Sequence, residues 1–172
     1  RLGDSSSRGH LFFAGKYKGK SGVFKVNLFT IKHSTVTKVK EIADVRRGLV
    51  LATGATGMGK STTLATMLQE INTSRKCKII TIEDPVEFVH KSSKSLIRHR
   101  EVGLHTLKFH NALRAALRED PDVILVGEIR DPETLLTALE AAQTGHLVFG
   151  TLHTNSAVKT VERVLGMYPP ED

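Results

Sequence analysis

Short apolar runs alternate along most of this chain with longer stretches whose apolar residues recur at helical spacing. Leu49–Ala52, Lys78–Ile82, Val123–Val126 and Leu147–Thr151 are each followed by polar or acidic residues, and they read as buried strands of a parallel sheet. Ser61–Ile71, Phe109–Arg118, Pro132–Ala142 and Ala157–Leu165 read as helices, with Pro132 suited to a first helical turn and Gly145 to a stop. From Arg47 onward this alternation predicts an α/β fold, a mainly parallel sheet with helices on both faces. In such a sheet, ligands sit beyond the C-terminal ends of the strands.

The first 46 residues break the pattern. Leu11–Ala14 and Val23–Phe29, in a setting punctuated by Gly15, Gly19 and Gly22, predict a pair of short antiparallel strands. Val36, Val39, Ile42 and Val45 recur every three residues, which fits an amphipathic helix or a linker over Thr35–Val45. The chain therefore divides into a partial, small α+β segment with its linker over 1–46 and a core over 47–172. No internal repeat is present.

Composition narrows the function. With 172 residues and 40% hydrophobic content the chain can bury one compact core. No apolar run approaches the ~20 residues a membrane span needs, and residues 1–7 lack the apolar core of a signal peptide, so a cytosolic protein is expected. Cys77 is the single cysteine, which excludes an internal disulfide and a CxxC metal site, and it reads as a small buried hydrophobe beside a strand. The net charge of +7 is uneven: residues 1–47 hold eleven Lys/Arg against three Asp/Glu, while residues 48–172 hold fourteen against fifteen. The basic run, including Lys16, Lys18, Lys20 and Lys25, reads as a solvated surface, and the core lacks the basic stripe of a nucleic-acid-binding protein.

One stretch carries unambiguous chemistry. Gly54-Ala55-Thr56-Gly57-Met58-Gly59-Lys60-Ser61 matches G-x-x-x-x-G-K-[ST] in full, with a strand before it and a helix running through Thr62 after it. Glycines let successive N–H groups turn inward around phosphate oxygens, and the helix N-terminus adds its dipole. Residues 54–62 are thus a nucleotide-binding segment, in which Lys60 reaches the β- and γ-phosphates and Ser61 a magnesium ion.

Polar residues gather after the other strands. Glu83, Asp84 and Glu87 follow the second, where a carboxylate has work to do on a metal's water shell or on an attacking water. The third ends in Gly127-Glu128; this is the element expected beside the phosphate loop, with Glu128 facing magnesium. His146 and His153 bracket the fourth. They are either satisfied structural residues or sensors that donate to a γ-phosphate; a zinc site lacks further ligands at recognisable spacing.

Gly54–Ser61, Thr81–His90, Arg118–Asp131 and Thr144–Asn155 together resemble the Walker A, Asp box, Walker B and His box of the secretion ATPase superfamily of type II secretion and type IV pili, over residues 46–170. Phe88-Val89-His90 and Arg100-Glu101-Val102-Gly103 resemble its twitching-motility retraction ATPases in particular. The resemblance implies a RecA-like P-loop NTPase core, with a C-terminal helical domain following this chain, that uses ATP and Mg2+. It implies a homohexameric motor at the cytoplasmic face of the bacterial inner membrane, driving pilus disassembly and retraction through an inner-membrane platform protein, with no nucleic acid. Pilus-assembly or type II secretion ATPases are the alternative, a nucleic-acid translocase a more distant one.

Residue by residue, the resemblance assigns Lys60 and Ser61 to phosphate and magnesium, Glu87 to catalysis, and Glu128 to catalysis and to magnesium through water. It gives His146 and His153 the coupling of nucleotide state to a subunit interface. Arg98, Arg100, Arg114, Arg118 and Arg130 are its candidates for stabilising transition-state charge. It departs in the N-terminal segment, where the family's R-F-R-V-N strand becomes Val23-Phe24-Lys25-Val26-Asn27. Lys25 there offers a point charge in place of a planar fork.

Overall fold

The computed structural model describes residues 10–17, 20–27, 40–154 and 157–167. The serine-rich start, Thr35–Val39 of the expected amphipathic stretch and the Pro169–Asp172 end lie outside them; of that stretch, residues 40–43 are helical. One seven-stranded sheet organises the molecule, built from β1 (His10–Tyr17), β2 (Lys20–Asn27), β3 (Gly48–Thr53), β4 (Lys78–Glu83), β5 (Leu96–Glu101), β6 (Val123–Val126) and β7 (Leu147–Leu152) in the order β2-β1-β3-β7-β6-β4-β5. The last five in that order run parallel, and the β1–β2 hairpin joins β3 antiparallel, with Phe13 opposite Val50.

Among the described residues, besides the helical turn at 40–43, four helices cover the sheet: α1 (Lys60–Ser74), α2 (Phe109–Leu117), α3 (Pro132–Gln143) and α4 (Ala157–Gly166). The apolar runs have no polar face because alternate residues enter two separate cores. Leu49 and Leu51 pack with Leu113, Leu135 and Ala138 under α2 and α3. Val50 and Ala52 pack with Leu64, Met67, Leu68 and Ile71 of α1. Phe149 is fully buried on the α1 side, between Val50 and Leu125 in register. Pro132 occupies the first turn of α3 as expected, and Asp131 caps it by accepting from Thr134 N at 2.8 Å. Cys77 is half-buried at the edge of the α1-side core, 3.1 Å from Ser95 Oγ.

Two features lie outside the sequence reading. The first is β5, whose Leu-Ile-Arg-His-Arg-Glu run buries only Ile97 fully. It is an edge strand held by β4 alone, so it lacks the apolar density that marks its neighbours. The second is the strand order, in which β7 inserts between β3 and β6. Gly150 on β7 makes room for the segment leaving β6, since a Cβ there would stand 2.7 Å from Ile129 Cδ1.

The two-sided packing makes the central strands the dominant source of stability. Phe149→Ala is expected to lower unfolding free energy by roughly 3–5 kcal/mol and Asp131→Ala by about 1 kcal/mol, measured as shifts of the denaturant midpoint at constant m-value.

Candidate active site

β3 delivers the chain to the sheet's C-terminal edge, and the glycine loop turns it into α1. Gly57 and Gly59 adopt left-handed backbone at φ 79° and 75°, which L side chains resist, so α1 begins abruptly at Lys60. The Lys60 ammonium donates to the Gly54 carbonyl at 2.8 Å and the Ala55 carbonyl at 3.0 Å. Only 7% of the residue is exposed. Burial holds its pKa below the ordinary lysine value, while the charges of Glu128 and Glu87 act in the opposite sense.

β4, β6 and β7 bring their ends to the same edge. Gly127 passes so close to β4 that an added Cβ would lie 3.2 Å from Glu83 Cα and from the Ile82 carbonyl oxygen. Gly127 N donates to that carbonyl at 2.8 Å, and Thr151 Oγ1 donates to the Gly127 carbonyl at 2.5 Å. Glu128 then projects past β6 with both oxygens engaged. Arg130 Nη2 lies 2.6 Å from one and His153 Nε2 3.4 Å from the other. The Arg130 hydrogen bond leads the causes that hold the Glu128 carboxyl below its usual range, with Arg130, His153 and Lys60 charges adding to it against burial.

The cavity among these ends encloses about 350 Å³. Thr56 to Thr62 form one wall, and Glu83, Asp84, Glu87, Glu128 and His153 face them. The glycine cradle, the buried ammonium and the Ser61 hydroxyl fit a nucleoside polyphosphate. Among the described residues no cluster of three or more His, Cys, Asp or Glu could hold a metal alone. Ser61 and Glu128 both line the cavity, and one or two protein groups plus phosphate and water are what a magnesium ion takes.

Not every expected residue arrives. Gly54 and Ala55 contribute carbonyls to Lys60 and do not line the cavity. His146 does not join it. It precedes β7, one strand away from His153 or roughly 20 Å, and its Nδ1 lies 2.9 Å from the Ala141 carbonyl oxygen. Two residues that bracket one strand cannot reach the same phosphate. Arg98 is exposed on β5, Arg100 pairs with Glu119, and Arg114 and Arg118 line a separate groove between α2 and α3. Of the five arginines, Arg130 alone touches a site carboxylate.

The structure adds residues that the motifs passed over. Thr151, His90, Phe88 and Phe109 line the cavity, and Glu101 and His99 on β5 accept hydrogen bonds from the backbone of the acidic loop. Thr151, His90 and Glu101 stand within the family-like motifs with no role assigned to them, whereas His99 stands on the strand that the apolar pattern does not reveal.

Residues 18–171 match the family described as type II/IV secretion system protein. The twitching motility protein of Neisseria gonorrhoeae is 56% identical over 156 residues, spanning 88% of this chain and 42% of that protein. The type IV pilus retractation ATPase PilT of Pseudomonas aeruginosa is 55% identical over 159 residues, 90% of this chain and 46% of that protein. The chain thus spans less than half the length of these curated relatives. A crystal structure of the pilus retraction motor PilT with bound ADP superposes with a TM-score of 0.75 at 44% identity, covering 95% of this chain and 53% of that one. The Legionella pneumophila ATPase DotB gives the same TM-score at 33% identity, covering 99% and 50%. With the matched residues embracing the phosphate loop and all three acidic and histidine strand ends, the chain belongs to the type II/IV secretion system protein family.

Proposed function

We propose that this chain forms the nucleotide-hydrolysing core of a motor that powers type IV pilus retraction. The observation that carries the reading is the convergence of Lys60 and Ser61 with Glu87 and Glu128 on one cavity at a parallel sheet's C-terminal edge. Two relatives at 55–56% identity carry twitching or retraction names, against 46–49% for a type II secretion protein E and a pilus-assembly ATPase. That difference favours retraction over assembly.

In this reading Lys60 and the amides of residues 56–61 bind the ATP phosphates, and Ser61 with Glu128 holds Mg2+ through its hydroxyl and through water. The bound ion supplies neutralisation of charge developing on the phosphates. Glu87, exposed on the rim, orients the attacking water and takes its proton. His153, through its contact with Glu128, is the histidine placed to register phosphate. The core of residues 47–172 and the segment of residues 1–46 act within a homohexamer at the inner membrane's cytoplasmic face, working on a platform protein. Among the described residues no helix is long and apolar enough to cross a membrane, and in this reading the association with the membrane is through partners.

Lys60→Ala is expected to reduce ATP hydrolysis roughly 10²- to 10³-fold and Glu87→Gln roughly 10²- to 10⁴-fold, read as phosphate release by the intact protein. Full activity in Glu87→Gln would remove the carboxylate from the mechanism. In cells, Glu128→Gln is expected to abolish pilus retraction, and normal twitching in that strain would reject the motor assignment.

A further inference from the structure

We propose that β5 clamps the acidic loop, with Glu101 and His99 as positioning residues that set the place of Glu87 by accepting backbone N–H groups on either side of it. The inference rests on the reading of Glu87 as the water-orienting carboxylate.

Between Glu83 and β5 the chain has no regular structure, so its amides have no ladder partners. Side chains take four of them, Ser93 N going to Asn72 Oδ1 at 3.0 Å and the other three lying around Glu87. Val86 N donates to Glu101 Oε2 at 2.9 Å, Glu87 N to Glu83 Oε2 at 3.3 Å, and His90 N to His99 Nε2 at 3.1 Å. Glu87 therefore lies between two points tied to the same strand. Residues 99 and 101 share a face of β5 with Ile97, and Ile97 is buried in the α1-side core, so the face that holds the loop is anchored by packing. Arg100, on the opposite face, pairs with Glu119.

The acceptors are themselves fixed. His99 Nδ1 lies 2.8 Å from Thr81 Oγ1, a fully buried hydroxyl on β4, and 4.0 Å from Glu83 Oε1. His99 Nε2 also lies 3.3 Å from the His90 carbonyl oxygen; with Nε2 accepting from His90 N, the tautomer assigned is the one protonated at Nδ1. The His90 ring stacks on it at 6.1 Å and 14°, and His90 Nδ1 reaches Gln69 Oε1 of α1 at 3.2 Å. Glu101 is held from behind, since its own N–H donates to His105 Nδ1 at 3.0 Å and Val102 N donates to the Glu83 carbonyl at 2.9 Å. Among the described residues the exposed Glu87 carboxylate has no side-chain hydrogen bond or ion pair, and it thus receives its position through the backbone.

The test is carried out on the intact protein with Glu101→Ala, Glu101→Gln, His99→Ala and Glu87→Gln, measuring kcat for ATP, Kd for ADP, and amide exchange over residues 86–90. Misplacement by about 1 Å costs up to roughly a hundredfold in rate, so Glu101→Ala and His99→Ala are each expected to lose roughly ten- to hundredfold in kcat with faster exchange at 86–90. Kd for ADP should stay within about twofold, because the phosphate loop is untouched. Glu101→Gln keeps an oxygen acceptor and should recover to within about threefold of the parent kcat. Unchanged kcat in both alanine variants overturns the clamp. So does a loss of ADP affinity equal to the loss of rate, or a glutamine variant no better than alanine. If Glu101→Ala does not fold, His99→Ala with its exchange profile decides alone. Glu87→Gln separates the two levels: if it is inactive while both alanine variants are normal, the clamp alone falls, and if it is fully active the catalytic reading falls and the clamp with it.

Discussion

A lysine ammonium buried at the junction of β3 and α1 is the constraint around which the site is built. An unpaired buried charge costs several kcal/mol, and Lys60 meets that cost in two ways. The Gly54 and Ala55 carbonyls accept from it directly, and Glu128 and Glu87 oppose the effect of burial through charge. The carbonyls can face it only because the loop turns through left-handed backbone at Gly57 and Gly59. Motif, helix start and acid placement are therefore one electrostatic problem.

The strand ends share the task unequally. β4, β6 and β7 are stitched together at their tips by Gly127 N to the Ile82 carbonyl, Thr151 Oγ1 to the Gly127 carbonyl, and Ile129 N to the Thr151 carbonyl. Glu128 is carried on this lattice and is placed with the sheet. Glu87 stands on a loop outside the ladder, so its place depends on side-chain acceptors. One carboxylate is thus fixed with the sheet and the other by local hydrogen bonds, which accords with the separate roles proposed for Glu128 and Glu87.

Much of this was legible in the sequence, and the exceptions have physical causes. The four core strands and four helices declare themselves because strands buried on both faces leave an unbroken apolar run, as in Val123–Val126. The phosphate loop is legible because few residues tolerate its backbone. β5 is not legible: an edge strand needs a single apolar anchor, Ile97, and can use its remaining positions for charge. His99 is hidden with it, and Glu101 is visible only as part of Arg100–Gly103, with no role attached. The histidine pair misleads in the opposite direction, since adjacency in sequence to one strand places His146 and His153 at its two ends, and a parallel sheet offers only one of those ends to ligand. Strand order was invisible for a related reason, because the apolar runs of β6 and β7 are interchangeable in composition and only close approaches such as Gly150 with Ile129 record which lies beside β3.

The charge balance of the cavity bears on what it can accept. Four carboxylates line it, Glu83, Asp84, Glu87 and Glu128, against the single ammonium of Lys60. Arg130 offsets Glu128 from outside, but its side chain is 63% exposed, and exposed ion pairs contribute only about 0–1 kcal/mol. A polyphosphate entering this surface meets a surplus of like charge on one wall and amide dipoles on the other. In the proposed reading, amides and one lysine would take the phosphate oxygens nearest the loop. Oxygens turned toward Glu87 and Glu128 would need a cation between them and the carboxylates, and a small divalent ion that keeps its water shell could stand there without a dedicated cage. The acids that would repel a bare nucleotide would then be the same acids that favour a magnesium nucleotide.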